Sequence, residues 1–399
     1  MKELSLEAKG VRASTTMAID SLFKQMLAEG QNVIGFAAGE PDFNTPDHIK
    51  NAAIQAIRDN YTRYTPASGA LDLKKAVCHR MKEDCGVEYA PNEVIISSGA
   101  KHLVYLALQV LIDPEDEVIL PTPAWVSYYE MIKMVGGIPV MVPATEEEHF
   151  KLTPAKLEAA ITPKTKAIIL NNPSNPTGMV YDEAQLRALT DVCVKHDLYI
   201  IADEIYYGLV YDGKPFTSVN ALGDDVRDRT ILINGVSKSY AMTGWRIGYA
   251  IARPEIAKVM SNYISHSTGS PCSISQRAAM AGLTERQDEV LTMKKAFQAR
   301  RDYIVNRIKD MPYVSCIRPE GAFYIMMNIQ KLIGHTIGGA LIRNADDFCD
   351  AFLKQDLVAV VSGEGFSAPG FVRWSYAASM DHLAEGLDRL ERFLGKLDK

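Results

Sequence analysis

Six aliphatic runs punctuate residues 94–233: Val94–Ser97, Glu117–Leu120, Ile138–Val142, Ala167–Leu170, Tyr199–Ala202 and Thr230–Ile233. None alternates apolar with polar residues, so each reads as a strand buried on both faces. Helical patterns such as His102–Ile112 and Asp182–His196 separate most of them. Buried strands joined through helices predict a mostly parallel sheet in an α/β domain, because parallel neighbours need crossover connections. A further short strand is expected at Ile247–Ala252.

The pattern then changes. Long helices are expected at Pro254–Ser267, Cys272–Leu283 and Arg286–Asp310. Strands Phe323–Met327, Leu357–Val361 and Phe371–Ser375 follow, mixed with helices Ala345–Lys354 and Met380–Leu397. Upstream lie helical stretches at Ser14–Gly30, Asp47–Asp59 and Leu71–Lys82, with an apolar segment Val33–Ala38. The expectation is a large domain over 45–290 and a smaller α+β domain built from 1–44 and 291–399. A chain of 399 residues has ample core for both.

Composition narrows the function classes. A 47% hydrophobic and 23% charged chain is that of a soluble globular protein. The net charge of -6 and the lack of basic runs argue against a nucleic-acid partner. No leader pattern and no apolar stretch long enough for a bilayer is visible, so no membrane partner is expected. Six scattered cysteines without a CxxC pair read as reduced thiols of a cytoplasmic protein, and no HExxH spacing suggests a metal.

Ligands of open α/β sheets bind beyond the carboxyl ends of the strands, so those positions carry the chemistry. Ser98-Gly99-Ala100-Lys101 opens a helix and offers free amides to a phosphate. Trp125 follows the next strand, either stacking on a flat ring or packing in the core. Asn171-Asn-Pro-Ser-Asn-Pro-Thr-Gly178 forms a stiff loop rich in amides. Asp203, with Glu204 and Tyr206 beside it, ends a buried strand, either paired with a cation or capping a helix. Lys238 and Arg246 follow Thr230–Ile233. A lysine in such a place is costly unless neutral or covalently engaged, and a Schiff base with a carbonyl cofactor would engage it. Together these residues describe a pocket for pyridoxal 5'-phosphate.

The motifs Ala38-Gly-Glu-Pro-Asp-Phe43, Tyr64-Thr-Pro-Ala-Ser-Gly69, Asn172–Gly178, Asp203–Tyr206, Ser237-Lys238, Gly244–Gly248 and Arg373-Trp-Ser-Tyr376 resemble those of the fold-type I, class I aminotransferases. The likeness is to the bacterial aspartate aminotransferase subgroup and covers essentially the whole chain. It implies that Lys238 bonds the cofactor and shuttles the proton. Asp203 would hold the ring nitrogen, Tyr206 and Asn175 the ring oxygen, and Trp125 the ring face. Arg246, the amides of Ala100 and Lys101, and Tyr64 from a neighbouring subunit would hold the phosphate. Arg373, Gly39 and Asn175 would grip the substrate's α-carboxylate. The implied assembly is a homodimer with composite sites.

One position departs from the family. Many members carry serine where this chain has Gly235, so Ser237 or water is expected to serve the phosphate instead. Specificity in the subgroup is implied to lie with Arg12, Ser14, Thr16 and Lys101. Two cations there would favour amino donors with a distal carboxylate, whereas ordinary solvated charges would not. The implied reaction is ping-pong amino transfer between L-aspartate and 2-oxoglutarate. Alternatives are an aromatic, prephenate or alanine aminotransferase, or a C–S lyase of the same fold.

Overall fold

The structure, a computed structural model, describes residues 2–398. Seven strands form the main sheet: β1 (Val94–Ser97), β2 (Glu117–Thr122), β3 (Ile138–Pro143), β4 (Thr165–Asn171), β5 (Tyr199–Asp203), β6 (Thr230–Gly235) and β7 (Gly248–Ile251). Their order is β1-β7-β6-β5-β4-β2-β3. Only β7 runs against its neighbours, pairing antiparallel with β1 and β6. The connection over 236–247 returns β7 beside β6 without a crossover α-helix, which is how one reversed strand enters an otherwise parallel sheet.

The absence of alternation has the expected cause in every strand but β3, which lies at the sheet edge and buries only Val142, contrary to the expected two-sided burial. Ile231 and Ile233 face a core made with the helices Ala100–Leu111, Val126–Met134 and Pro254–His266. Leu232 between them faces a second core with Leu71–Cys85 and Ser273–Thr284. Burial on both faces leaves polar residues only at strand ends, where the catalytic candidates stand.

The second lobe carries four antiparallel strands, in the order Val361–Ser362, Phe371–Ser375, Tyr324–Asn328 and Ser315–Cys316. Its core gathers Trp374, Phe348, Phe352 and Phe393, with Phe36 stacked on Trp374 at 4.4 Å. Ile34–Gly35 pairs in parallel with Val358–Ala359, so the chain before residue 45 is tied to this lobe. No helix among the described residues is long and apolar enough to cross a membrane.

One expected strand is divided, and two stretches take forms the sequence left open. Leu357–Val361 is not one strand: Val358–Ala359 pairs with Ile34–Gly35, then Val361–Ser362 pairs with Phe371–Ser375. A continuous apolar run hides that change of partner. Only Ile34–Gly35 of Val33–Ala38 is strand, because the following residues turn into the cavity described below. The helix Val126–Met134 carries no clear start signal, since Trp125 stands at its N-cap without a side-chain cap.

Candidate active site

The strand ends and the second lobe enclose a cavity of about 360 Å³. Gly39, Ala100, Lys101, Trp125, Asn175, Asp203, Tyr206, Ser237, Lys238, Arg246 and Arg373 all line it. Residues from across the chain therefore meet at one edge of the sheet, as the strand-end rule requires.

Lys238 stands just past β6, and its Nζ donates to the Gly39 carbonyl at 2.5 Å. Burial pulls the amine down to about 8; Arg246 and Arg373 push the same way, while Glu40 and Asp203 oppose. Asp203, the last residue of β5, is 4% exposed. Its Oδ2 accepts from the Tyr128 hydroxyl at 2.6 Å and its Oδ1 from the Ile205 amide at 3.2 Å. Burial raises its carboxyl, and these two donors and Lys238 pull it back. No helix follows Asp203, so the capping alternative reduces to one turn amide.

The Asn171–Gly178 loop is braced from within. Asn171 donates to the Asp203 carbonyl at 2.9 Å and accepts from the Asn175 amide at 2.7 Å. That fixes the Asn175 side chain, whose Oδ1 accepts from Arg373 Nη1 at 3.0 Å. Arg373 is 2% exposed and also donates to the Ala37 carbonyl at 2.8 Å. Its guanidinium lies between the rings of Tyr324 and Phe366, 4.5 and 4.9 Å from their centroids. Among the described residues no carboxylate pairs with it, and its Nε has no partner. A buried guanidinium with spare donors is built to receive an anion.

The opposite wall is the start of the Ala100–Leu111 helix. Gly99 has φ +90, and a Cβ there would lie 2.5 Å from Arg246 Nη2. Gly248 packs so closely that a Cβ would meet the Ala100 nitrogen at 2.5 Å. Only glycine allows strand, helix end and arginine to close on one another here. Arg246, in the left-handed region at φ 55, donates to the Thr243 carbonyl at 2.9 Å. Gly235 faces Gly248 across the sheet, and a Cβ at 235 would come within 3.0 Å of backbone atoms. The β6–β7 pair leaves little room for a side chain at 235, while Ser237 lines the cavity.

Trp125 lines the cavity, and its ring meets Tyr128 edge-on at 5.2 Å. Lys101 Nζ sits 4.8 Å from the Trp125 centroid, its charge disfavoured by burial and by Arg246.

Three expected residues stand apart. Tyr64 is 98% exposed, on an open surface beside Pro271 and Cys272. Arg12 lies on an adjoining cavity of about 740 Å³ with Ser14, and its amide donates to Glu130 at 3.3 Å. Thr16 does line the first cavity, with Met17, Asp20 and Lys24 of the same helix. Lys101 and Arg246 border both cavities. Sequence reasoning missed Tyr128 and Tyr324. Asp203 needed a donor, which was the signal for the first; the second hides in an apolar strand.

Comparison with known proteins gives the class to which this arrangement belongs. The family described as aminotransferase class I and II matches residues 31–390, which takes in every strand-end residue above. The chain belongs to that family and is an aminotransferase. It is 45% identical over 394 residues to the aspartate aminotransferase of Bacillus subtilis, with 99% of each chain covered. The aspartate aminotransferase structure from Rhizobium meliloti matches with a TM-score of 0.96 at 38% identity, over the whole of both chains. That from Thermus thermophilus, with maleate, matches at 0.93 and 36% identity, covering 98% of this chain and all of the other.

Proposed function

We propose that this aminotransferase moves the amino group of L-aspartate to 2-oxoglutarate through pyridoxal 5'-phosphate, in the two half-reactions of a ping-pong cycle. The observation that carries the reading is Arg373, a buried cation with no carboxylate partner among the described residues, sharing one cavity with the depressed amine of Lys238. The donor set suits the cofactor. The crowded glycines at 99 and 248 set the Ala100 amide and Arg246 together as a phosphate cradle. Asp203 offers a buried carboxylate for a ring nitrogen, Tyr206 and Asn175 offer donors for a ring oxygen, and Trp125 offers a face. When bound, the cofactor supplies a carbonyl for amines and a ring that withdraws electrons.

The chain's own residues do the rest. Arg373 and Asn175 orient the donor's α-carboxylate, and Gly39 leaves room beside them. An amine near 8 is partly neutral at neutral pH, so Lys238 Nζ can accept the α-proton and later give it back. Lys101, at the cavity's other wall, supplies a cation for a distal carboxylate. The similarity to aspartate aminotransferases, one of them with the dicarboxylate maleate, supports an acidic donor.

The same reading includes a division at residues 45 and 290, supported by the Ile34–Gly35 pairing with the second lobe. It also includes a homodimer, supported by the exposure of Tyr64, and a cytoplasmic setting, supported by six free cysteines. An absorption titration of the purified enzyme tests the chemistry, with light scattering on the same sample. Aspartate should shift the cofactor band and 2-oxoglutarate restore it, in a dimer. A protein without such a band would overturn the cofactor assignment. Preference for alanine or an aromatic donor would overturn the acidic one, and an active monomer the dimer.

A further inference from the structure

Two phenols from different lobes meet on the cavity wall. Tyr206 follows β5 in the large sheet, and Tyr324 opens the Tyr324–Asn328 strand of the second lobe. Both are buried, at 3% and 0% exposure, and their hydroxyl oxygens are 2.9 Å apart. Among the described residues neither hydroxyl has another hydrogen-bond partner. The Tyr324 ring also supports the Arg373 guanidinium at 4.5 Å, and its hydroxyl stands over Gly39, where a Cβ would lie 3.1 Å away. Tyr324 therefore touches three residues that the proposed function assigns to cofactor and substrate.

A phenol has one proton to donate, and in the protein alone either hydroxyl can be the donor. The choice disappears once Tyr206 gives its proton to a ring oxygen. Tyr206 then has only lone pairs left for its neighbour, and Tyr324 must donate. We infer that Tyr324 is a positioning residue for amino transfer: by donating to Tyr206 it commits the Tyr206 proton to the cofactor's ring oxygen. This rests on the function proposed above.

The surroundings favour that polarity. Arg373 over the Tyr324 ring is the largest influence drawing this phenol down against its burial. Tyr206 is raised by burial and by its phenol neighbour, with Arg373 a lesser opposing influence. The phenol nearer the cation is the better donor. A donor that itself accepts a hydrogen bond donates more strongly, by roughly 10–30% per bond in a chain.

Tyr324→Phe keeps the ring beneath Arg373 and removes only the hydroxyl. In the cofactor-loaded enzyme the ring oxygen would then be less well stabilised as an anion and hold its proton more tightly. The pH midpoint of the cofactor absorption band should move upward, by about half a unit. kcat should fall a few-fold while KM for the amino donor stays within twofold, since the carboxylate grip is intact. In a Tyr206→Phe background the same substitution should shift the midpoint no further, because its effect passes through Tyr206. A wild-type enzyme without the band would refute the proposed function itself. A normal wild-type band that Tyr324→Phe leaves unmoved, or moves equally in the Tyr206→Phe background, would overturn the role of Tyr324 alone.

Discussion

The two walls of the cavity are made differently. The sheet-edge wall is set by strands buried on both faces, and Asp203, Asn175 and Arg373 are each held by at least one hydrogen bond to a buried neighbour. The other wall is the Thr15–Ala28 helix, which has no buried residue and whose ion pair, Lys24 with Asp20 at 2.7 Å, lies within the helix. The first wall carries the groups that the proposed function uses for amino transfer. The second lines the same cavity through Thr16, Met17, Asp20 and Lys24. Packing energy thus holds the first wall and leaves the second a surface with little to hold it still.

The sharpest way to break this contrast is at Lys238. If burial governs its amine, the neutral form rises as pH climbs through about 8, well below the 10.5 of a solvated lysine. Because the pKa is lowered, reactivity is present above that midpoint and lost below it. At neutral pH this amounts to roughly two orders of magnitude more neutral amine than on a surface lysine. Amine-directed labelling of the cofactor-free protein, followed by peptide mapping, should show Lys238 reacting with a midpoint near 8. A midpoint near 10 would mean that this wall is no more enclosed than the other.

A smaller effect is expected at Tyr128, which gives Asp203 its shortest hydrogen bond. Removing a donor from a buried carboxylate costs about 1.5–3 kcal/mol. In Tyr128→Phe the Asp203 carboxyl should rise further under burial, so the acid limb of the kcat profile should move upward. At neutral pH kcat should fall about tenfold, a loss of that size in free energy. Loss confined to KM would show that Tyr128 only packs.

The same contrast governs what could be read from sequence. Six of the seven strands were legible because two-sided burial leaves an unbroken aliphatic run, the edge strand Ile138–Pro143 by its run alone, and the site because polar residues concentrate at the ends of those runs. The family, inferred from seven motifs, is borne out by the match over residues 31–390. Tyr128 and Tyr324 were not legible, since a tyrosine amid apolar residues gives no sign of where its hydroxyl points. Leu357–Val361 read as one strand because a change of pairing partner leaves no trace in hydrophobicity. Arg12 was the other limit. A charge on a segment with little burial has no packing pattern to fix its direction, and it lies on the neighbouring cavity.

That placement gives the mildest test, at the boundary between the two cavities. Lys101 borders both cavities and Arg12 only the outer one, so their substitutions should separate. Lys101→Ala should raise KM for aspartate about tenfold, as expected for one partly screened charge contact. KM for alanine, which has no distal carboxylate, should barely change. Arg12→Ala should alter aspartate KM by no more than about twofold, the size of an exposed ion pair. An Arg12 effect as large as that of Lys101 would mean that the Thr15–Ala28 helix and the residues before it close over the substrate. The second wall would then owe its order to the ligand, whereas the first owes its order to the sheet.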